Sequence, residues 1–258
     1  MKLICPVCRK ALKQNGREAV CENGHHFDYA KSGYLNLLMK QSKVHGDDAA
    51  MVKARTGFLN SGAYAFLKEH LTALSREFRP QVIADLGCGE GYYTAALEAE
   101  EKYGFDMSKD ALKHAAKHDR STAYCVASIF HLPMPDSSCD FVLTCFAPAA
   151  CVEIERILKP GGVFVFVTPG KKHLFELKEL LYETPYENKV TPLNMALPLI
   201  RTDEIRQPFD CSGEDLMNLF MMTPYAWRTA ESGKEKLRRT LQMRILAEFV
   251  VRVYQKPF

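Results

Sequence analysis

At 258 residues and roughly 150 residues per domain, the chain has room for two domains or for one large core with an appendage, and a short peptide scaffold is excluded. Apolar residues make up 47% and charged residues 25%, with 15 Gly and 13 Pro, which excludes wholesale disorder and collagen-like repeats. Net charge is +3, but residues 1–60 carry 10 Lys/Arg against 5 Asp/Glu and residues 228–258 carry 8 against 3, so two +5 ends flank a −7 centre and a bound polyanion would meet the ends.

The first region, to about Tyr29, lacks long apolar runs and reads as a small knuckle hairpin. From Asp47 to Phe78 the sequence turns helical, with Met51, Phe58, Tyr64, Phe66, Leu67, Leu71 and Leu74 partly at helical spacing and interruptions at Gly57 and Gly62. An alternation follows. Strands are predicted over Gln81–Leu86, Tyr103–Asp106, Ala123–Ala127, Phe141–Phe146 and Val163–Thr168, with helices over Gly91–Glu98, Lys109–His118 and Val152–Leu158 between them. That order predicts an α/β, doubly wound, Rossmann-like parallel sheet. A helix is expected over His173–Tyr182. Residues 183–212 carry Pro185, Pro192, Pro198 and Pro208 with little periodicity, and read as an inserted lid or substrate loop. Asp215–Met222 resumes as helix, and Ile245–Tyr254 has the β-branched and aromatic content of a terminal strand.

No apolar run approaches the roughly 20 residues that cross a bilayer, and Met1–Cys8 shows no signal-peptide pattern, so no membrane association and a cytoplasmic location are expected. Nine cysteines are an odd count, and in a reducing compartment they are free thiols or metal ligands rather than a disulfide framework. Cys5, Cys8, Cys21 and His25 stand in a C-x2-C-x12-C-x3-H spacing. Two ligands separated by two residues grip one ion from a tight turn, and a second pair completes a tetrahedron, so a structural zinc ion in a ribbon-like module is expected. His26 competes for the fourth position. Such a closed site leaves no position for catalysis and holds Arg9, Lys10, Lys13 and Arg17 in a fixed shape.

Val82-Ile83-Ala84-Asp85-Leu86-Gly87-Cys88-Gly89-Glu90-Gly91 places an apolar strand directly before a glycine-rich turn, where the backbone can approach a ligand closely. A dinucleotide fingerprint is G-x-G-x-x-G, whereas here the third glycine comes one residue early and Asp85 lies two residues before the first. An acid so placed suits the positively charged amino acid end of S-adenosylmethionine, which has no pyrophosphate needing a helix dipole. Asp106 ends the next strand, where a carboxylate can hold both ribose hydroxyls. Asp85, Gly87, Gly89, Gly91 and Asp106 are the expected cofactor residues. Leu132 and Met134 are either adenine contacts or core.

With both sites in one chain, the sequence resembles the bacterial 23S ribosomal RNA guanine-N1 methyltransferases, which pair an N-terminal zinc module with a class I S-adenosylmethionine domain. The likeness runs nearly end to end. It is carried by the Cys5/Cys8/Cys21/His25 set, Gly33–Leu38, Asp85–Thr94, Thr168-Pro169-Gly170 with His173-Leu174, and Met222–Arg228. The resemblance implies that Tyr64, Gly91 with Tyr92, and His173 contact the cofactor, and that the target is a guanine in a hairpin loop of domain II. It implies residues 1–40 as a zinc-binding RNA-recognition module, 41–78 as a helical linker and 79–258 as the methyltransferase domain, with 23S ribosomal RNA as partner and a homodimer as the candidate assembly.

Methyl transfer to guanine N1 requires alignment, exclusion of water and an acceptor for the N1 proton. No residue announces itself as that base, so the catalytic group is open. Cys145-Phe146-Ala147-Pro148 ends a strand where related folds bind the acceptor, or is only a strand-end turn. Trp227, the single tryptophan, stands beside Tyr225 and Arg228, a composition suited to stacking on an extruded base or to ordinary packing. Pro148, Tyr225, Trp227 and Arg228 are the substrate candidates. A small-molecule methyltransferase is the runner-up, and a non-catalytic RNA-binding protein with a decayed methyltransferase domain is a third reading.

Overall fold

The computed structural model describes residues 2–39 and 46–258, so the expected module boundary at residues 40 and 41 lies outside the described residues. Three short strands, β1 (Leu12–Asn15), β2 (Glu18–Cys21) and β3 (His26–Asp28), form an antiparallel sheet, the expected knuckle. After them come β4 (Leu35–Asn36), α1 (Ala49–Asn60), α2 (Ala65–Phe78), β5 (Val82–Leu86), β6 (Glu101–Asp106), α3 (Lys109–His118), β7 (Thr122–Val126), β8 (Cys139–Cys145), α4 (Cys151–Ile157) and β9 (Leu158–Pro169). The chain ends with α5 (Phe175–Leu181), β10 (Leu199–Ser212), α6 (Gly213–Met221), α7 (Tyr225–Arg228), α8 (Glu231–Arg239) and β11 (Gln242–Gln255). No helix among the described residues is long and apolar enough to cross a membrane.

The main sheet has the order β10-β11-β9-β8-β5-β6-β7-β4. Pairs from β9 through β4 are parallel, whereas β11 runs antiparallel to both β9 and β10. The doubly wound architecture is therefore as expected, with a mixed rather than wholly parallel sheet. All five residues of β5 are buried, because helices cover a parallel strand on both faces and leave no reason for polar alternation. Ser108 caps α3 by accepting from the Ala111 N–H at 3.1 Å, and Asp48 caps α1 by accepting from Met51 at 2.8 Å, each satisfying an otherwise orphaned donor.

Three expectations need correction. Residues 183–212 are not a lid: 199–212 form β10, paired with β11 from Leu199↔Tyr254 to Ser212↔Gln242. Pro208 is tolerated there because an edge strand can leave one position without a donor. The earlier half is pinned down. Buried Lys178 donates to Tyr186 O at 3.0 Å and Asn188 Oδ1 at 2.7 Å, and Asn188 donates to Gly170 O at 2.8 Å. The helix predicted over Gly91–Glu98 is only a 3-10 turn, Thr94–Ala96, because the Glu98 N–H is taken by Ser75 Oγ at 3.1 Å and the chain turns into β6. Finally, 46–78 is more than a linker, since Phe58, Leu59, Leu67, Leu71 and Leu74 belong to one of the large apolar clusters, with Val163, Val165 and Val167 of β9.

The zinc module is also continuous with the large domain. β4 pairs with β7 at Leu35↔Cys125 and Asn36↔Val126, and Leu3, Cys5, Leu12, Phe27 and Leu37 share one core with Tyr103, Phe105 and Cys125. Ile4 donates to Pro133 O at 2.9 Å, and Lys2 N–H to Tyr103 Oη at 2.7 Å.

Candidate metal centre and cofactor cavity

The two ligand pairs sit in tight turns. Arg9, with φ of 59°, donates its N–H to Cys5 O at 2.8 Å, and Gly24 donates to Cys21 O at 3.0 Å, so each turn folds back over its first cysteine. Backbone N–H groups of Val7 and His25 point at Cys5 Sγ and Cys21 Sγ, both at 3.4 Å. The four donor atoms lie within 4.8 Å of one another. Cys5 Sγ is 3.6 Å and Cys21 Sγ 3.3 Å from His25 Nδ1, and Cys8 Sγ is 3.6 Å from Cys21 Sγ. A tetrahedron with zinc–ligand bonds of 2.0–2.3 Å has edges of about 3.3–3.8 Å, which these three separations match, and small side-chain shifts within the 4.8 Å cluster would bring all four donors onto one zinc ion. His26 is not part of it, because its Nδ1 faces Glu18 Oε2 at 2.9 Å on the exposed side of the sheet.

The order of the strands, not their direction, reverses between the parallel neighbours β5 and β8, and at the carboxyl ends of these strands lies a cavity of about 950 Å³. This is where an open α/β sheet binds ligands. Its wall includes Tyr64, Asp85, Gly87, Gly89, Asp106, Pro148, His173, Tyr225 and Trp227. Gly87 has φ of +82°, and a Cβ there would lie 2.5 Å from the Ala147 side chain, so the loop is pressed against the residues that follow β8. Asp106 holds the loop from the other side, accepting from Gly89 N–H at 2.9 Å and Ser108 N–H at 2.7 Å.

Asp85 is the clearest sign of an intended ligand. Its Oδ2 accepts from Thr94 Oγ1 at 2.5 Å, while Oδ1 is buried with no hydrogen-bond partner. Burial pushes its pKa up to about 7, against the Thr94 hydrogen bond and aided by Asp106 and Glu90. A cationic group would satisfy that oxygen and reverse the shift, and the α-amino end of S-adenosylmethionine is such a group. Burial also raises the Asp106 carboxyl, with the Ser108 and Gly89 N–H groups drawing it down. Asp106→Ala should weaken S-adenosylmethionine binding by about 2–3 kcal/mol, through lost charge-assisted bonds and a loosened Gly89 turn; calorimetry giving unchanged affinity would remove Asp106 from the site.

Across the cavity, His173 Nδ1 accepts from Glu248 N–H at 3.2 Å, and Nε2 lies 3.3 Å from Tyr64 Oη. This network assigns the ring proton to Nε2, which donates to Tyr64. Burial lowers the His173 pKa to about 3 and raises the Tyr64 hydroxyl well above its usual value. Both are therefore neutral at physiological pH.

Not every expected residue joins the wall. Gly91 is behind the loop, where a Cβ would meet Tyr124 Oη at 2.5 Å and Ala115 at 3.1 Å, so its glycine serves packing. Tyr92 lies outside the wall with the Lys68 ammonium 4.4 Å from its ring centroid. Arg228 is exposed beyond the lining residues. Leu132 and Met134 are core, and the neighbouring Phe130 lines the cavity instead. The expected helix α1 has a place in the site that its sequence was not read to give it. Met51, Arg55 and Leu59 all line the cavity at steps of four residues, one helical face, and that stripe was the available signal. Arg55 is paired with Asp47 at 2.5 Å and Glu90 at 3.4 Å, tying α1 to the glycine loop.

A zinc-ribbon family model described as RlmA, N-terminal, matches residues 3–44, and a methyltransferase domain model matches residues 84–166. The 23S rRNA (guanine(748)-N(1))-methyltransferase of Streptomyces fradiae is 40% identical over 188 residues, 69% of this chain and 67% of its own. A Bacillus subtilis protein provisionally named 23S rRNA (guanine-N(1)-)-methyltransferase YxjB is 30% identical over 245 residues, covering 86% of each chain. Among solved structures, a protein from Anaeromyxobacter dehalogenans provisionally named a type II methyltransferase superposes with a TM-score of 0.53 at 21% identity, over 72% of this chain and 97% of that one, a likeness of fold. With its zinc-ribbon module and its S-adenosylmethionine-dependent methyltransferase domain, the chain belongs to the 23S rRNA (guanine-N1-)-methyltransferase family.

Proposed function

We propose that this chain transfers a methyl group from S-adenosylmethionine to N1 of a guanine in a hairpin loop of domain II of 23S ribosomal RNA. The observation that carries the reading is the joining, in one core, of a Cys5/Cys8/Cys21/His25 tetrahedron on a basic module to a cavity at the sheet's switch point. In this reading the four ligands hold a structural zinc ion. Asp85 receives the cofactor's α-amino group, Asp106 its ribose, and the backbone at Gly87 and Gly89 lets it approach, with Tyr64 and His173 closing the far wall. Gly91 contributes by packing the loop, and Tyr92 by covering it. Pro148, Tyr225 and Trp227 face the acceptor, and Arg228 meets RNA outside the cavity.

The bound cofactor supplies a methyl group on a positively charged sulfur. For the bond from N1 to carbon to form, the carbon–sulfur bond would break with its electron pair left on sulfur, and the N1 proton would pass to solvent water at the cavity mouth. The neutral Tyr64–His173 pair cannot accept that proton, and burial beside Asp85 and Glu90 keeps the Cys145 thiol protonated as well. Asp106 has both oxygens engaged, and Asp47 and Glu90 are tied to Arg55. What the chain's residues do is align the two reactants and exclude water, which is the larger part of such a displacement.

Two features favour RNA over a small acceptor: the +5 ends and a cavity mouth where Trp227 is 71% exposed. Affinity for the hairpin should fall about 10- to 100-fold between 50 and 200 mM salt, as three or four phosphate contacts release counterions. The deciding experiment is mass mapping of ribosomal RNA from a deletion strain complemented with this chain. A restored methylguanine in domain II is expected; unmodified RNA, with turnover on a small acceptor, would favour the runner-up. The reading carries a cytoplasmic site of action, and sedimentation tests the homodimer.

A further inference from the structure

We propose that Phe146 is the platform on which the target base stacks during methyl transfer, a proposal that rests on the RNA reading above. β8 ends at Cys145, and Phe146 follows with φ of +58°, a left-handed conformation that a bulky side chain adopts only under constraint and that gathers at functional sites. The constraint is visible. Phe146 N–H donates to Val167 O at 3.1 Å, and Ala147 is pressed against Gly87 of the cofactor loop. The left-handed turn takes the ring out of the sheet's core, so that Phe146 is 43% exposed while Phe141 on the same strand is wholly buried.

The ring lines the cavity and is braced. Tyr93 meets it at 65° with centroids 6.4 Å apart, and Phe249 at 50° and 5.2 Å. Sheet order decides which ligand it serves. Asp106, Met107, Ser128, Ile129 and Phe130 line the cavity on the β6 and β7 side, where the cofactor's ribose and adenine belong. Phe146 stands on the other side of β5, directly after Cys145 of β8 and hydrogen-bonded to Val167 of β9, which leaves it to the acceptor. A braced, uncharged ring, 43% exposed and lining the cavity, suits a purine that has left its stack, since every base offers a π-face. Trp227, on the same wall, covers the base from the open side.

The test measures single-turnover methylation of a ribosomal hairpin at saturating RNA, with cofactor and RNA affinities determined alongside. Phe146→Asn tolerates the left-handed backbone but has no ring, Phe146→Leu keeps bulk without a π-face, and Phe146→Tyr keeps the ring. The single-turnover rate should fall about 10- to 100-fold in the Asn and Leu variants, with cofactor affinity unchanged, and return with Tyr. Full rate in either ringless variant overturns the platform. Lost cofactor affinity in both also overturns it, by making Phe146 part of the cofactor wall. If one ringless variant does not fold, the other decides. A wild-type chain that binds cofactor but leaves RNA unmethylated overturns the RNA reading itself, an outcome distinct from wild-type activity with a normal Asn variant.

Discussion

Replacing Cys8 by Ser should remove the zinc and lower the melting temperature of the whole chain by about 10 °C, with the damage reaching the main sheet. Zinc-finger peptides that are unfolded without metal gain about 10–16 kcal/mol on binding it. The module here keeps apolar partners when the ion is lost, so a smaller cost of about 3–5 kcal/mol is expected, which for a chain of this size converts to roughly 10 °C. An autonomous knuckle would confine that loss to itself. In this structure Cys5 and Cys21 share a core with Tyr103, Phe105 and Cys125, and β4 closes the parallel sheet against β7. Metal analysis should find the ion absent, and amide exchange across Thr122–Val126 should rise. Wild-type exchange in β7 with zinc gone would show that the module is a passenger. The same coupling predicts that truncation before residue 40 damages the sheet edge as well as RNA recognition.

The spacing of Cys5, Cys8, Cys21 and His25 was legible because a metal site is specified by local turns, and the Asp85–Gly91 loop because a strand, a turn and an acid must follow in order. Long-range consequences were not. β10 reads as a loop because an edge strand alternates weakly and tolerates Pro208, and its identity is set by β11, whose paired positions lie 30 to 55 residues later. The role of α1 depends on which face of the helix meets the glycine loop, and that is decided by the Arg55 pairs with Asp47 and Glu90. Phe146 could be suspected as a strand-end residue, but its left-handed backbone comes from Val167 and Gly87, which no local pattern announces. Gly91 carries a requirement that its motif does not announce: a side chain there would meet the ring of Tyr124 behind it.

Cofactor affinity should depend on pH through Asp85. In the free protein burial holds this carboxyl at about 7, so near neutrality about half of the molecules carry a proton there. The ammonium of the cofactor's amino acid end favours the ionised form, and binding must therefore expel that proton. The sign follows: affinity is fully expressed above pH 7 and declines as pH falls through it. For one linked proton the loss between pH 7.4 and pH 6 is about eightfold. The comparison stops at 7.4 because an α-amino group loses its own proton near 7.7–8.0, which would bend the profile down again. Calorimetry at pH 7 in buffers of different ionisation enthalpy should register about half a proton released per cofactor bound. Asp85→Asn keeps an oxygen for the Thr94 hydroxyl but presents an amide to the ammonium, so its affinity at pH 7.4 should fall by at least about tenfold and its profile should become flat. Parallel pH profiles in wild type and variant would mean that the buried Oδ1 of Asp85 is left without a partner even in the complex, and the amino group would have to be sought at another oxygen of the cavity, with Glu90 on the same loop the next to test.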